Sequence, residues 1–368
     1  MSAERPLALW PGVIEAYRDH LPVGPDTPVI TLQEGGTPLL PAPRLSERVG
    51  ANVFLKYEGV NPTGSFKDRG MTLAISKAVE EGAKAVVCAS TGNTSASAAA
   101  YAARAGLTCA VLIPEGYIAL GKLAQALIHG ARVLQVRGNF DEALAIVRDL
   151  GEHAPVTVVN SVNPFRIEGQ KTIVFELLEQ CGWDPPDWIA LPAGNLGNTA
   201  AFGAALRDAF ALGLIRRMPR LAAVQAAGAA PFAAGFRGGF TRRERVQPET
   251  VATAIRIGDP ASWDRAVRAI RETNGVVTDV PDQDILDAKS AIDTSGVGCE
   301  PASAASVAGV RRLVREGTIA PGARVVAVLT GHLLKDPSGG SETTARANQP
   351  IEIEPRLTEV ERFMARPI

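Results

Sequence analysis

Short apolar runs alternate with helix-length amphipathic stretches along most of this chain, and that alternation restricts the fold more than any other feature. The runs "AKAVVCAS", "TCAVLIP", "ARVLQVRG", "VTVVN", "DWIALPAG", "LAAVQAAG" and "RVVAVLTG" read as buried strands. Between them, "SASAAAYAARAG", "FDEALAIVRDL", "RIEGQKTIVFELLEQCG" and "NTAAFGAALRDAFALG" read as helices. Continuous apolar strands separated by helices predict an α/β protein with mainly parallel sheets flanked by helices. At 368 residues the chain exceeds what one compact core usually holds, so two domains or one large α/β domain are expected.

Charge narrows the function classes. Lys plus Arg number 38 and Asp plus Glu 39, so no net field favours nucleic acid or an anionic membrane. No apolar stretch has the length to span a bilayer, and "MSAERPLALWPG" lacks the pattern of a secretory leader. Cys88, Cys109, Cys181 and Cys299 are scattered without a C-x-x-C pair, which argues against a disulfide framework or a metal site. A cytoplasmic protein is the expectation. Pro- and Gly-rich connections fall near 22–43, 228–240 and 335–350. Residues 228–250, rich in Gly and Arg, read as a mobile surface segment, and 335–350 as a loose connection or tail.

In parallel α/β proteins, ligands sit where strands end and helices begin. In "NPTGSFKDRG", Lys67 precedes a helix whose apolar face carries Met71, Ile75, Ala78 and Val79. A cation at a helix N-terminus opposes the macrodipole, which suits a lysine used as a neutral amine; an ordinary surface lysine is the plainer reading. In "ASTGNTSAS", Ser90, Thr91, Asn93 and Thr94 surround Gly92 at a helix start, a place for a carboxylate or simply a capping loop. In "LPAGNLGNTAAFG", Gly194 and Gly197 frame Asn195 and Leu196, and Asn198 opens a helix. No G-K-[ST] follows and the spacing is not G-x-G-x-x-G, so a monophosphate cradle or a tight turn fits best. Thr330 ends a buried strand and would face the same cleft. A phosphate arm, a carbonyl for an amine and a group opposite are the parts of pyridoxal 5′-phosphate.

"NPTGSFKDRG", "STGNTSAS", "AGNLGN" and "LTGHLLKDP", in this order, resemble the threonine synthases among the fold-type II pyridoxal-phosphate enzymes, in the tryptophan synthase β-like family. The segment from Glu34 to Gly70, "NSVNPFRIEGQKT" and "GCEPASAAS" are similar as well, and the resemblance runs from about Pro11 to Pro337. It implies two domains with the cofactor in the cleft between them: a smaller inserted domain at 70–160, a larger one from 1–69 plus 161–350, and a tail at 351–368. It implies Lys67 as the Schiff-base lysine and proton-transfer group, and Asn93 at the cofactor's 3′ oxygen. Gly194, Asn195, Leu196, Gly197 and Asn198 would form the phosphate loop, with Thr330 at the pyridine nitrogen. Ser90, Thr91 and Thr94 would take the substrate carboxylate and nearby groups. Thr94, Asn160, Ser161 and Arg166 would hold the substrate's phosphate, and no metal is implied. Arginine's fork suits phosphate, although a helix-terminal salt bridge is the plainer reading of Arg166.

The implied activity is conversion of O-phospho-L-homoserine and water to L-threonine and phosphate, by a cytoplasmic homodimer. A threonine or serine dehydratase shares Lys67 and the glycine loop but needs no phosphate set, and a silent amino-acid sensor needs neither. No regulatory domain precedes Pro11, so no activator such as S-adenosylmethionine is expected. One departure stands out: Leu333 occupies a place where the family more often has glycine, which either reshapes the wall near the cofactor ring or changes little.

Overall fold

The computed structural model describes residues 9–115, 120–137, 140–153, 155–337 and 352–364. Its strands are β1 (Leu39–Pro41), β2 (Asn52–Tyr57), β3 (Ala85–Ala89), β4 (Thr108–Pro114), β5 (Arg132–Val136), β6 (Val156–Val158), β7 (Trp188–Pro192), β8 (Arg220–Ala226), β9 (Val276–Val280) and β10 (Arg324–Leu329). They make a six-stranded sheet, ordered β1-β2-β10-β7-β8-β9, and a four-stranded sheet, ordered β5-β4-β3-β6. Only the β1–β2 pair is antiparallel.

Alternation along each central strand explains the layers. Ile189 and Leu191 face a core built with the helices Pro164–Gln180, Gly197–Ala211 and Trp263–Glu272. Trp188 and Ala190 face the opposite core, against the helix Pro301–Arg315. With both faces covered, every residue of β7 is buried, so its sequence reads as one apolar run. In the four-stranded sheet, Val86 and Cys88 pack with the helices Lys67–Glu80 and Asn93–Ala105, while Val87 and Ala89 meet Ala143 and Val147.

One helix crossing positions the chemistry. Lys67–Glu80 and Pro164–Gln180 meet at paired glycines. A Cβ at Gly169 would lie 2.2 Å from the Arg69 carbonyl oxygen, and one at Gly70 would lie 2.6 Å from that of Arg166. Glycine alone permits this approach, and it brings the starts of the two helices together.

Only the first half of the segment 228–250 departs from the expectation of a mobile surface stretch. Pro231–Arg237 is a helix, and Phe232 is wholly buried, its ring centroid 5.0 Å from Phe240 and 5.2 Å from Trp263. Aromatic burial anchors its first half, whereas Gly228 and most of residues 237–249 are exposed. Most of the polar stretch 335–350 lies outside the described residues. Residues Leu357–Met364 within the expected tail form a helix. Among the described residues, no helix is long and apolar enough to cross a membrane.

Candidate active site

The turn before Lys67 is laced to the end of β10. The Phe66 amide donates to the Thr330 carbonyl at 2.9 Å, and Ser65 forms an antiparallel bridge with Gly331. The helix then opens at Lys67 itself. Burial is the largest cause lowering the Lys67 amine to about 7, the Arg166 guanidinium lowers it further, and Glu300 opposes them. Desolvation and a nearby cation thus make this amine far easier to deprotonate than an ordinary lysine. Next to it, buried Asp68 accepts from the Thr63 amide (2.7 Å), the Thr63 hydroxyl (2.6 Å) and the Ser97 hydroxyl (2.6 Å). Those bonds tie the Lys67 turn to the helix that begins at Asn93.

Ser90, Thr91, Asn93 and Thr94 are all half-buried where β3 gives way to that helix. Gly92 donates its amide to the Ser90 hydroxyl at 3.2 Å. Asn93 donates from Nδ2 to both oxygens of Glu300, at 3.2 and 3.0 Å. Asn160 faces the backbone of β3: its Oδ1 accepts from the Ala89 amide at 3.0 Å, and its Nδ2 donates to the Ala89 carbonyl at 2.9 Å. It thus splices β6 to β3 and sets the start of the Ser90 loop.

Arg166 is wholly buried. Its Nη1 donates to the Val159 carbonyl at 2.7 Å, while Nε and Nη2 find no hydrogen-bond partner among the described residues. Burial lowers its pKa to about 10. Buried donors left without acceptors are costly, so two on one guanidinium point to an anionic ligand.

The glycine-framed turn lies at the end of β7. Leu196 adopts φ 63°, and the helix Gly197–Ala211 starts at the next residue. A Cβ at Gly194 would lie 2.9 Å from Ile255 Cα, so no side chain fits there. Asn195 is clamped: its Nδ2 donates to the Ser161 hydroxyl at 2.9 Å and its Oδ1 accepts from the Ala261 amide at 2.8 Å. In the first helical turn, Asn198 Oδ1 and Thr199 Oγ1 are buried without partners among the described residues. The free amides of a helix N-terminus and the unpaired Thr199 hydroxyl, with no side chain intruding at Gly194, fit a phosphate, whereas the Asn198 oxygen is an acceptor and adds nothing to that fit. Thr330 is buried past β10, its hydroxyl 2.9 Å from that of Ser303.

Several residues around this cleft escaped the sequence reading. Glu300 is buried before the Pro301–Arg315 helix, and Ser303 holds both Thr330 and the Gly331 amide, the latter at 2.9 Å. Behind Lys67, Arg69 is bound by Glu58 at 2.7 Å and Glu176 at 2.8 Å, and Lys56 reaches Glu176 at 2.6 Å. Lys335 donates to the Thr63 carbonyl at 3.0 Å and also contacts Gln125. The signal available was "GCEPASAAS", where a carboxylate stands directly before a proline that can open a helix.

A desolvated amine, a helix start free of intruding side chains and a buried hydroxyl past β10 fit a phosphorylated aldehyde cofactor. The profile of the family described as pyridoxal-phosphate dependent enzyme matches residues 30–331, and the chain belongs to that family. Its similarities are to particular members. A threonine synthase from Synechocystis is 55% identical over 352 residues, covering 94% of this chain and 90% of that protein. A threonine synthase from Mycobacterium leprae is 55% identical over 331 residues, 89% of each. Among solved structures, the processed form of threonine deaminase isoform 2 from Solanum lycopersicum superposes with a TM-score of 0.70 at 23% identity, covering 80% of this chain and 79% of that one. Maize serine racemase gives 0.72 at 21% identity, covering 89% and 93%. Those structures share the fold.

Proposed function

We propose that this chain carries out the threonine synthase reaction, converting O-phospho-L-homoserine and water to L-threonine and phosphate. The observation that carries the reading beyond family membership is Arg166, a buried guanidinium with two open N–H donors near Lys67. A dehydratase acting on free threonine brings no phosphate to that position. The relatives named above agree with the choice.

Lys67, Asn93, Thr330 and the loop Gly194, Asn195, Leu196, Gly197 and Asn198 would hold pyridoxal 5′-phosphate. When bound, the cofactor supplies an aldehyde and an electron sink for charge developing at the substrate Cα. Lys67, whose amine is lowered to about 7 by burial and the Arg166 charge and so gives up its proton far more readily than an ordinary lysine, takes the Cα proton. Ser90, Thr91 and Thr94 orient the carboxylate at the helix start. Arg166 fixes the phosphate through Nε and Nη2, and Ser161 and Thr94 complete the shell. Asn160 adds its remaining amide hydrogen or acts through Ala89. A proton is lost from Cβ and phosphate leaves from Cγ with the electron pair of the C–O bond; a proton is then delivered to Cγ, water adds its hydroxyl to Cβ, and Lys67 returns the proton to Cα. Arg166 keeps the departed phosphate close enough to accept the proton of that water. Thr330 offers a hydroxyl where a carboxylate would hold the ring nitrogen protonated, which discourages transamination.

Premature entry of water would divert the substrate to 2-oxobutanoate, so the cleft must close before phosphate leaves. The domain 70–160, built on the four-stranded sheet, closes over the remainder, 1–69 plus 161–350. The working unit is a cytoplasmic homodimer with a small-molecule substrate and neither a nucleic-acid nor a membrane partner. The test is a phosphate-release assay on O-phospho-L-homoserine, with threonine and 2-oxobutanoate measured in parallel. Equal release of phosphate and threonine is expected. Deamination of free threonine with no action on the phosphorylated substrate would select the dehydratase reading instead.

A further inference from the structure

The carboxylate of Glu300 is held from two sides. Behind it, a Cβ at Gly331 would lie 2.5 Å from Glu300 Oε1, so the carboxylate rests directly on that glycine. The Glu300 amide donates to the Gly331 carbonyl at 3.0 Å, and the Ser303 amide donates to the Glu300 carbonyl at 3.0 Å. In front, both carboxylate oxygens meet Asn93 Nδ2, at 3.2 and 3.0 Å. Asn93 sits on the helix beside the four-stranded sheet, and Glu300 and Gly331 belong to segments of the six-stranded one.

An asparagine amide can rotate to present either its oxygen or its nitrogen. A carboxylate accepts hydrogen bonds and repels an amide oxygen, so only the rotation with nitrogen toward Glu300 is favourable. We propose that Glu300 is a positioning residue, which locks the Asn93 amide with nitrogen at the cleft and keeps its second N–H for the oxygen on the cofactor ring. The assignment rests on the functional reading above, and it explains why the residue after Thr330 is glycine. Any side chain there would displace the carboxylate and release Asn93. The Glu300 pKa is raised on balance, burial being the largest cause, and the Asn93 hydrogen bond is the largest influence opposing that rise.

The experiment compares Glu300→Ala, Glu300→Gln, Gly331→Ala and Asn93→Ala holoenzymes by kcat, KM and the visible absorption of bound cofactor. Glu300→Ala and Gly331→Ala should lower kcat by about 10²-fold with little change in KM, as expected for a misplaced contact. They should also reproduce the spectral shift of Asn93→Ala. Glu300→Gln still offers an acceptor oxygen and should restore most of the turnover and the wild-type spectrum. An unaltered spectrum and kcat in Glu300→Ala would overturn the proposal, as would equal damage in Glu300→Gln, since charge and not orientation would then be the cause. Should Glu300→Ala fail to fold, selective ¹⁵N labelling of asparagine in wild-type apoenzyme decides: one Asn93 side-chain proton should be shifted downfield, and a freely rotating amide would overturn the assignment. The spectra and the resonance need no substrate. Inactivity of the wild type on O-phospho-L-homoserine would therefore count against the functional reading alone.

Discussion

Arg69 and Arg166 are both wholly buried, and their helices cross glycine against glycine, yet their guanidinium groups are treated in opposite ways. Arg69 spends Nε on Glu58, Nη1 on Glu176 and Nη2 on Thr37, Glu58 and Glu176, all between 2.7 and 3.0 Å. Burial pulls its pKa down, but Glu176 and Glu58 more than offset this and raise it above the ordinary value. Arg166 has one backbone acceptor and no ion pair among the described residues, and burial lowers its pKa to about 10. Burial alone therefore does not separate scaffold from site; saturation does. A fully paired buried cation fixes the chain, whereas one with open donors is set to meet a ligand.

Volume-conserving substitutions test this contrast. Arg69→Met leaves Glu58 and Glu176 with Lys56 as the nearest buried cation, and breaking such a network should cost about 3–5 kcal/mol of stability. Urea midpoints measure it, and a loss below about 1 kcal/mol would show that the network does not carry the fold. Arg166→Met should shift stability little, since it removes a poorly paired charge. Its kcat/KM on O-phospho-L-homoserine should fall about 10²- to 10³-fold, the loss expected when one member of a buried charged pair is truncated. Inorganic phosphate should inhibit the parent and spare the variant. If Arg166→Met unfolds as readily as Arg69→Met, both arginines are scaffold and the contrast is broken.

The same contrast marks what a sequence can disclose. The loops at Ser90, Gly194 and Thr330 were legible because small residues and hydroxyls punctuate the ends of apolar strands, a local pattern. Arg69 and Glu300 were not, because a buried charge is written with the same letter as a solvated one. Their partners lie far along the chain: 107 positions separate Arg69 from Glu176, and 207 separate Glu300 from Asn93. Asn160 shows the converse, since its position in the loop was readable but its engagement with Ala89 was not. Strands β1, β2 and β9 were missed for related reasons. β1 is only 3 residues long, β2 carries a wholly buried Lys56, and Asp279 interrupts β9.

A smaller effect separates Lys67 from both arginines, because its charge changes in an accessible pH range. Its amine has an ordinary value of 10.5 and is lowered to about 7 in the fold. Between those limits the unfolded chain binds more protons than the folded one, so stability rises with pH across that window. The destabilisation is complete below the lower limit and disappears above the upper one. Apoenzyme urea midpoints, compared between parent and Lys67→Met at about pH 7 and about pH 10, should converge as pH rises. Parallel curves would mean that the amine keeps its ordinary pKa and that Arg166 is too distant to influence it.

Leu333 should give the smallest effect, and it tests where the site ends. It is 37% exposed, and its Cδ2 would lie 2.0 Å from a Cβ at Gly298, so the leucine rests on that glycine at the surface. Its neighbour His332 stacks on Tyr57, with ring centroids 6.4 Å apart. Of the two expectations for this departure from the family, the geometry supports little change: a leucine seated on Gly298 can be accommodated without altering the cofactor wall. Leu333→Gly should therefore change kcat/KM by no more than about twofold, the scale of an ordinary surface substitution. A shift in the ratio of threonine to 2-oxobutanoate would place Leu333 inside the working cleft. The boundary drawn by open donors and unpaired polar atoms would then be too narrow.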